Sequence, residues 1–415
     1  MGCSDLPTGS PDVGTDAGAD LGVTSDAIES DVPGTNDSGF PTAAHRAWPV
    51  FPENSRAILS PMTLVTIVTA GEPSAADLFA ASDNMVRSAW WDAVGSEYGI
   101  AAAAGSVHVT GPAITGNLTY AQMATYISDL ISAGDAPATD GNKMYLLYLP
   151  AGIAAVIGGV PNDGCSPQGI HGSYLGHNDS MAWVQNCPSM GARSTVQIQT
   201  LIGSHEVIES ATDAIPGMGF TFGRPPQMSP WNSSVWYSYE SSATSYTEVG
   251  DLCEGTAITI GGNLFQRSYS NRAALAGGDP CVPAIAAPYY NTTTGSEWYP
   301  ATAGTVLDVS VTGWSTAATD DWFVGRFVRS QSDSTQTWGM RLEALDGRTT
   351  SVGGSTFPLA NNGSMLTFHI AVPSNATSGS WAIFRLLSRR VDPATGASDP
   401  TGDQSHQQLF GVYVP

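Results

Sequence analysis

The sequence predicts an α/β domain built on a mixed sheet, followed by an all-β sandwich. Strand-like and helix-like stretches alternate between residues 57 and 211. From residue 301 onward, apolar residues recur at every second position and no helical pattern interrupts them. Alternating strands and helices argue for a sheet with helices packed on it, and period-two alternation between close turns argues for a sandwich.

Residues 57–69 (AILSPMTLVTIVT) are apolar and β-branched, as a central strand requires. A helix is expected over residues 75–95, ending in the Trp90–Trp91 pair, and a short strand over residues 107–109. Residues 119–132 open on a threonine cap and place Met123, Tyr126, Ile127 and Leu130 at helical spacing. The apolar run at residues 144–160 is broken by Pro150 and several glycines and is too short to span a bilayer, so residues 144–149 read as a buried strand before a turn. After a strand at 181–184, a helix is expected over residues 195–211, with Pro216 and Gly217 as its stop. In the sandwich, Leu307, Val309 and Val311, and then Leu366, Phe368, Ile370 and Val372, alternate with polar residues. Residues 323–328, 381–387 and 409–414 add further strands, and His369 falls on a polar face.

Composition bounds the function. With 15 basic against 37 acidic residues and Lys143 as its only lysine, the chain has no basic stripe to neutralise phosphates, so nucleic acid is an unsuitable partner. The first 45 residues carry eight carboxylates and no Lys or Arg. They bury too little apolar surface to offset ordering and read as a disordered tether. The expected division is therefore a tether at 1–45, an α/β domain at 46–300 and a sandwich at 301–415. Cys3 sits where the lipidated residue of a mature bacterial lipoprotein would stand, although no export signal precedes it. This suggests an extracellular or cell-surface protein, lipid-anchored through Cys3, with no transmembrane helix. Cys165, Cys187, Cys253 and Cys281 then suggest two disulfides. Local pairing, 165 with 187 and 253 with 281, is preferred among the three connectivities. Spacing of the Cys-x-x-Cys kind is absent.

The chemistry concentrates in residues 205–213, HEVIESATD. The zinc-protease helix motif sets two histidines four residues apart, with a glutamate after the first as general base. Here Glu209 stands in the second histidine position. Residues i and i+4 share a helix face, so His205 and Glu209 are candidate ligands of one ion and Glu206 the base that takes the proton of an activated water. That chemistry implies a zincin-like core domain. The competing expectation is a solvated helix face bearing Glu206, Glu209 and Asp213, with His205 incidental. Trp231, Trp236, Tyr237 and Tyr239 either line a substrate cleft or cap the core.

Four segments together resemble a known family: 164–173 with His171, 181–187 ending at Cys187, 204–213 with His205 and Glu206, and 248–253 with Glu248 and Asp251. In order and approximate spacing, residues 57–290 resemble the EXORDIUM (phosphate-induced protein 1) family and its bacterial secreted relatives. The segment between Cys165 and His171 is longer than the family's compact Cys-Gly-aromatic-His. The resemblance implies Glu248 as third ligand, His171 and Asp251 as competitors for that place, and Asp213 as a hydrogen-bond partner of His205. It is compatible with two functions. One is an exported zinc-dependent hydrolase, most readily a metallopeptidase acting on protein or peptide. The other is a non-catalytic extracellular protein, signalling or binding a cell-wall polymer or carbohydrate, whose carboxylates hold a structural ion such as calcium.

Overall fold

The computed structural model describes residues 39–52, 57–163, 165, 168–174, 178–188, 193–222, 229–238, 247–390 and 405–415. Cys3 and most of the expected tether lie outside them, as does Tyr239. Residues 39–45 pack on the C-terminal part: the Ala43 amide donates to Asn362 Oδ1 at 2.9 Å, and buried His45 stacks on Trp314 at 3.7 Å.

The described chain is mostly β, with mixed sheets and a few helices. The N-terminal part is built on a five-stranded sheet. Its strands are β1 (Thr63–Thr69), β2 (Gly105–Gly111), β3 (Lys143–Tyr148), β4 (Gly169–Ser173) and β5 (Ser180–Val184), in the order β2-β1-β3-β5-β4. The first four positions in that order run parallel, and β4 closes the edge antiparallel to β5. Every residue of β3 is buried, because helices cover both faces and successive side chains point to opposite sides. On one face Leu64, Met144, Leu146 and Ala182 meet α1 (Ala75–Arg87), α2 (Ala89–Gly95) and the motif helix. On the other, Val65, Ile67, Tyr145 and Leu147 meet Met123, Ile127 and Leu130 of α3 (Tyr120–Ala133). The threonine cap expected at Thr119 is present, and Gln122 extends it to a capping box.

Two boundaries differ from expectation, and a third, the end of the motif helix, falls within one residue of it but has a different cause. The first strand begins at Thr63 rather than 57, after the turn at Ser60–Pro61. The expected helix over 75–95 is two helices, because Ser88 is extended and its hydroxyl accepts from the Trp90 amide to start a new one. The motif helix α4 (Thr195–Thr212) stops before Pro216, because Asp213 leaves helical geometry and its carboxylate takes the amides of Gly217, Met218 and Gly219 at 2.6, 2.9 and 2.6 Å.

After α4, β6 (Thr221–Phe222) pairs with β7 (Thr247–Glu248), and β8 (Ala257–Ile260) forms a hairpin with β9 (Asn263–Gln266). The sandwich follows as β10 (Tyr290–Thr294), β11 (Trp298–Pro300), β12 (Val306–Ser315), β13 (Trp322–Gln331), β14 (Gly339–Ala344), β15 (Thr349–Val352), β16 (Ser355–Ala360), β17 (Met365–Ala371), β18 (Trp381–Arg390) and β19 (His406–Tyr413). A four-stranded sheet, β10-β12-β17-β14, faces a six-stranded one, β11-β19-β18-β13-β16-β15. Between them lie the alternating residues read from sequence, Val309, Val311, Leu366, Phe368 and Ile370, against Phe384, Leu386 and Phe410. Two strands, β10 and β11, precede residue 301, so the sandwich draws on chain assigned above to the α/β domain.

The two parts share a core: Trp314, Ile383 and Leu409 pack with Trp48, Trp236 and Tyr289. The expected disulfides, Cys165–Cys187 and Cys253–Cys281, are both formed. They fit an exported protein. No helix among the described residues is long and apolar enough to cross a membrane.

Candidate metal centre

Helix α4 is not a solvated face. From Gly203 to Thr212 every residue but His205 is buried, with Glu206 4 % and Glu209 3 % exposed. The cause is its position between the sheet and the β8–β9 hairpin: Val207, Ile208 and Ala211 enter the main core, while the Ser204 hydroxyl accepts the backbone amide of Gln266 at 2.8 Å. Carboxylates forced into such surroundings need compensating partners.

Those partners come from neighbouring elements. His171, on edge strand β4, sets Nδ1 3.5 Å from Glu206 Oε2 and 3.5 Å from Glu209 Oε2. Its Nε2 lies 3.3 Å from Glu248 Oε1, on β7. Within α4, His205 Nε2 lies 3.1 Å from Glu209 Oε2, the contact that an i,i+4 pair makes on one helix face. Two groups have ligand atoms within 4.8 Å of one another: His171 with Glu206 and Glu209, and His205 with Glu209 and Asp251. Glu209 is common to both. Two ligands on a tetrahedral zinc, each about 2.0 Å from it, stand roughly 3.3 Å apart, close to these separations. Glu209 Oε1 is buried and has no hydrogen-bond partner among the described residues, so the cluster retains donor capacity suited to a cation.

The other candidates fall around this centre. Glu248 contacts His171 and belongs to neither three-residue group. Asp213, at the end of α4, spends its carboxylate on the three amides of the following turn and on Glu248. Asp251 Oδ2 accepts the Glu248 amide at 2.8 Å, which ties the two downstream acids into one turn. The aromatic residues lie towards the sandwich: Trp231 stacks on Tyr413 at 4.8 Å, Trp236 is in the main core beside Trp48, and Tyr237 packs against that core. His369 is bound across strands by Asp308 at 2.6 Å and Glu343 at 3.3 Å on the sandwich surface.

The electrostatics divide the carboxylates by neighbour. Burial pushes Glu209 upward, but His205 and His171 outweigh it and hold it at about 2. Burial dominates at Glu248 and lifts it to about 8, and it raises Glu206 and Asp213 as well. Burial lowers both histidines, yet the surrounding carboxylates overcome it and raise each well above 6.5, Glu248 being the largest such influence on His171 and Glu209 on His205.

Three residues with no sequence signal complete the site. Gln266 Nε2 contacts His205 Nδ1 at 2.9 Å and the Gly250 carbonyl at 2.8 Å. A side chain at Gly250 would place Cβ 2.5 Å from Glu209 Oε1 and 2.8 Å from His205 Nδ1. At Gly169 it would lie 2.6 Å from Glu206 Oε1. Only glycine lets both backbones approach the carboxylates so closely.

No protein-family model and no curated protein matches the chain. Among solved structures, a family 123 glycoside hydrolase from Clostridium perfringens, described for glycolipid glycan hydrolysis, is similar at 13% identity with a TM-score of 0.18. The match covers 30% of this chain and 27% of that one, so it spans about a quarter of the glycosidase chain and carries no functional argument.

Proposed function

We propose that the protein is an exported zinc-dependent hydrolase, of the metallopeptidase class that its helix motif suggests, with the ion held by His171 Nδ1, Glu206 Oε2 and Glu209 Oε2. The observation that carries this reading is the convergence of those three buried atoms around a carboxylate that still has an unpartnered oxygen. An ion there supplies a Lewis acid and brings the pKa of water towards neutrality. His171 Nε2 lies 3.3 Å from Glu248 Oε1, which puts a carboxylate beside the ring nitrogen that faces away from the ion, as second partners of imidazole ligands commonly are. Glu248, raised by burial and 15 % exposed at its side chain, lies beside His171 and is the proton donor that this reading assigns to the leaving group. Glu206 is then a ligand instead of the general base. The zincin-like element is α4 lying on a mixed sheet, and membership of the EXORDIUM family, attachment through Cys3 and peptide substrates belong to the same proposal.

A second reading has one observation in its favour. All three ligand residues are buried, and closed sites are typical of structural ions. The protein would then be a non-catalytic extracellular module, binding carbohydrate or a cell-wall polymer or signalling, with zinc or calcium as a structural ion.

Elemental analysis of metal-replete protein separates these readings when paired with assays of Glu206→Gln on a broad peptide library. The hydrolase predicts about one zinc per chain, its loss in the variant, and loss of hydrolysis in both the variant and chelated wild type. Hydrolysis that survives chelation, or metal-replete protein without bound metal, sinks the proposal. Bound metal with no activity on any substrate, and a lowered Tm on chelation, selects the structural ion.

A further inference from the structure

We infer that Ser180 and Ser210 are positioning residues of the centre, joined in a buried hydroxyl strut that fixes edge strand β4, and with it His171, against the helix that carries Glu206 and Glu209. This rests on the proposed assignment of the ion to His171, Glu206 and Glu209.

The site is split between two elements. His171 stands on β4, which among the described strands pairs with β5 alone, and both glutamates stand on α4. Apolar packing of a helix on a sheet is non-directional and lets the two slide, whereas ligand distances must hold to about 0.2 Å. A hydrogen bond supplies that restraint. The Ser180 hydroxyl, on β5, donates to the Gly172 carbonyl at 2.9 Å and lies 3.0 Å from the Ser210 hydroxyl on α4. Gly172 follows His171 and Ser210 follows Glu209, so the strut ends one residue from a ligand on each side.

Both serines are fully buried, and hydroxyls so placed must find partners inside the protein. Theirs are each other and the Gly172 carbonyl. From the other face of the sheet Tyr120, at the start of α3, closes on the same strand. Its hydroxyl donates to the Ser173 carbonyl at 3.2 Å and would stand 2.6 Å from a Cβ at Gly172. The strand is thus held just beyond His171, whose Nδ1 lies 3.5 Å from each glutamate. A strut of the same kind joins β1 to α1 without a ligand residue beside it: Thr66 donates to the Ser82 hydroxyl at 2.7 Å and Ser82 to the Leu78 carbonyl at 3.0 Å, with both side chains buried. It serves as the control.

The test is a zinc titration against a competing chelator, with the metal-free Tm, on full-length wild type, Ser180→Ala, Ser210→Ala, the double variant and Ser82→Ala. Ser180→Ala should lose about 10–100-fold in zinc affinity, the loss that removal of an outer partner brings. The double variant should lose no more than Ser180→Ala, because one strut is broken once. Ser82→Ala should lower Tm and keep the wild-type affinity. Should Ser180→Ala not fold, Ser210→Ala, which keeps the bond to Gly172, decides by its own loss of affinity. Wild-type affinity in the strut variants, additive losses in the double variant, or an equal loss in Ser82→Ala overturns the inference. If wild type takes up no zinc, the ion assignment fails by itself and metal-free protein labelled at histidine decides the strut. The ring resonance of His171, identified with His171→Gln, should shift in Ser180→Ala and not in Ser82→Ala; a ring unmoved in both overturns the strut.

Discussion

Gly250 shows how little room the centre has. Its backbone passes so close to Glu209 and His205 that one added methyl group would overlap both. Gly250→Ala should therefore cost about 1–3 kcal/mol of stability, the range of an overpacked interior. It should also weaken zinc binding, because the carboxylate and imidazole must both move. Urea unfolding and zinc titration of the same sample check this, and a variant with unchanged zinc affinity would show that the approach does not shape the site. Of the individual residues, His205, Glu206 and Glu209 were legible in sequence because helical periodicity brings them together. His171 was legible only through resemblance. Gln266 and Gly250 were not, since a glutamine in a hairpin and a glycine before an acid are ordinary until folding sets them against His205.

The turn that carries Glu248 and Asp251 is fastened from both sides. The Cys253–Cys281 disulfide closes it two residues after Asp251, and Gln407 of β19 donates to the carbonyls of Asp251 and Leu252 at 3.0 and 2.9 Å. With the cysteines 28 positions apart, removing this bridge through a double Cys→Ser variant should cost roughly 3–4 kcal/mol by loop-closure entropy. A fall in zinc affinity should accompany the lower Tm, because Glu248 loses its anchor beside His171. Calorimetry with zinc titration measures both, and stability lost without any change in affinity would separate the bridge from the site. The elements themselves were largely readable: β3, α3, α4 and the alternating sandwich strands match their patterns because burial on one face or two dictates the period. The break at Ser88 escaped pattern reading because a single side-chain hydrogen bond overrides the local helical preference.

The α/β part and the sandwich meet through a shared aromatic core that includes two buried histidines. His406 packs at 4.2 Å on Tyr289 and 4.9 Å on Tyr290, and His45 stacks on Trp314. Burial, followed by Arg267 and Arg390, depresses His406 well below 6.5, and burial also lowers His45. An unfolded histidine takes up its proton near pH 6.5, so below that value the unfolded state binds more protons than the folded one. Stability therefore falls as pH drops through about 6.5, by up to about 1.4 kcal/mol per pH unit for each such histidine, and is fully present above it. His406→Gln should flatten the fall of Tm between pH 7 and 5. A wild-type slope in the variant would assign the acid sensitivity to other groups.

Composition and periodicity alone specified β1, β2, β3 and β5 with the helices between them, five of the sandwich strands and the helix that carries His205, Glu206 and Glu209, but not the edge strand β4, the strands β6 to β9 or the other sandwich strands. The cysteine spacing favoured the pairing found. These are local consequences of burial and chain connectivity, which repeat along the sequence with the period of each element. The partners of that helix were decided in three dimensions. His171 comes from an edge strand, Glu248 from a two-residue strand and Gln266 from a hairpin, and no spacing rule links them. Each was placed by packing α4 between sheet and hairpin. That packing buried the carboxylates and made their neighbours the groups that must compensate them.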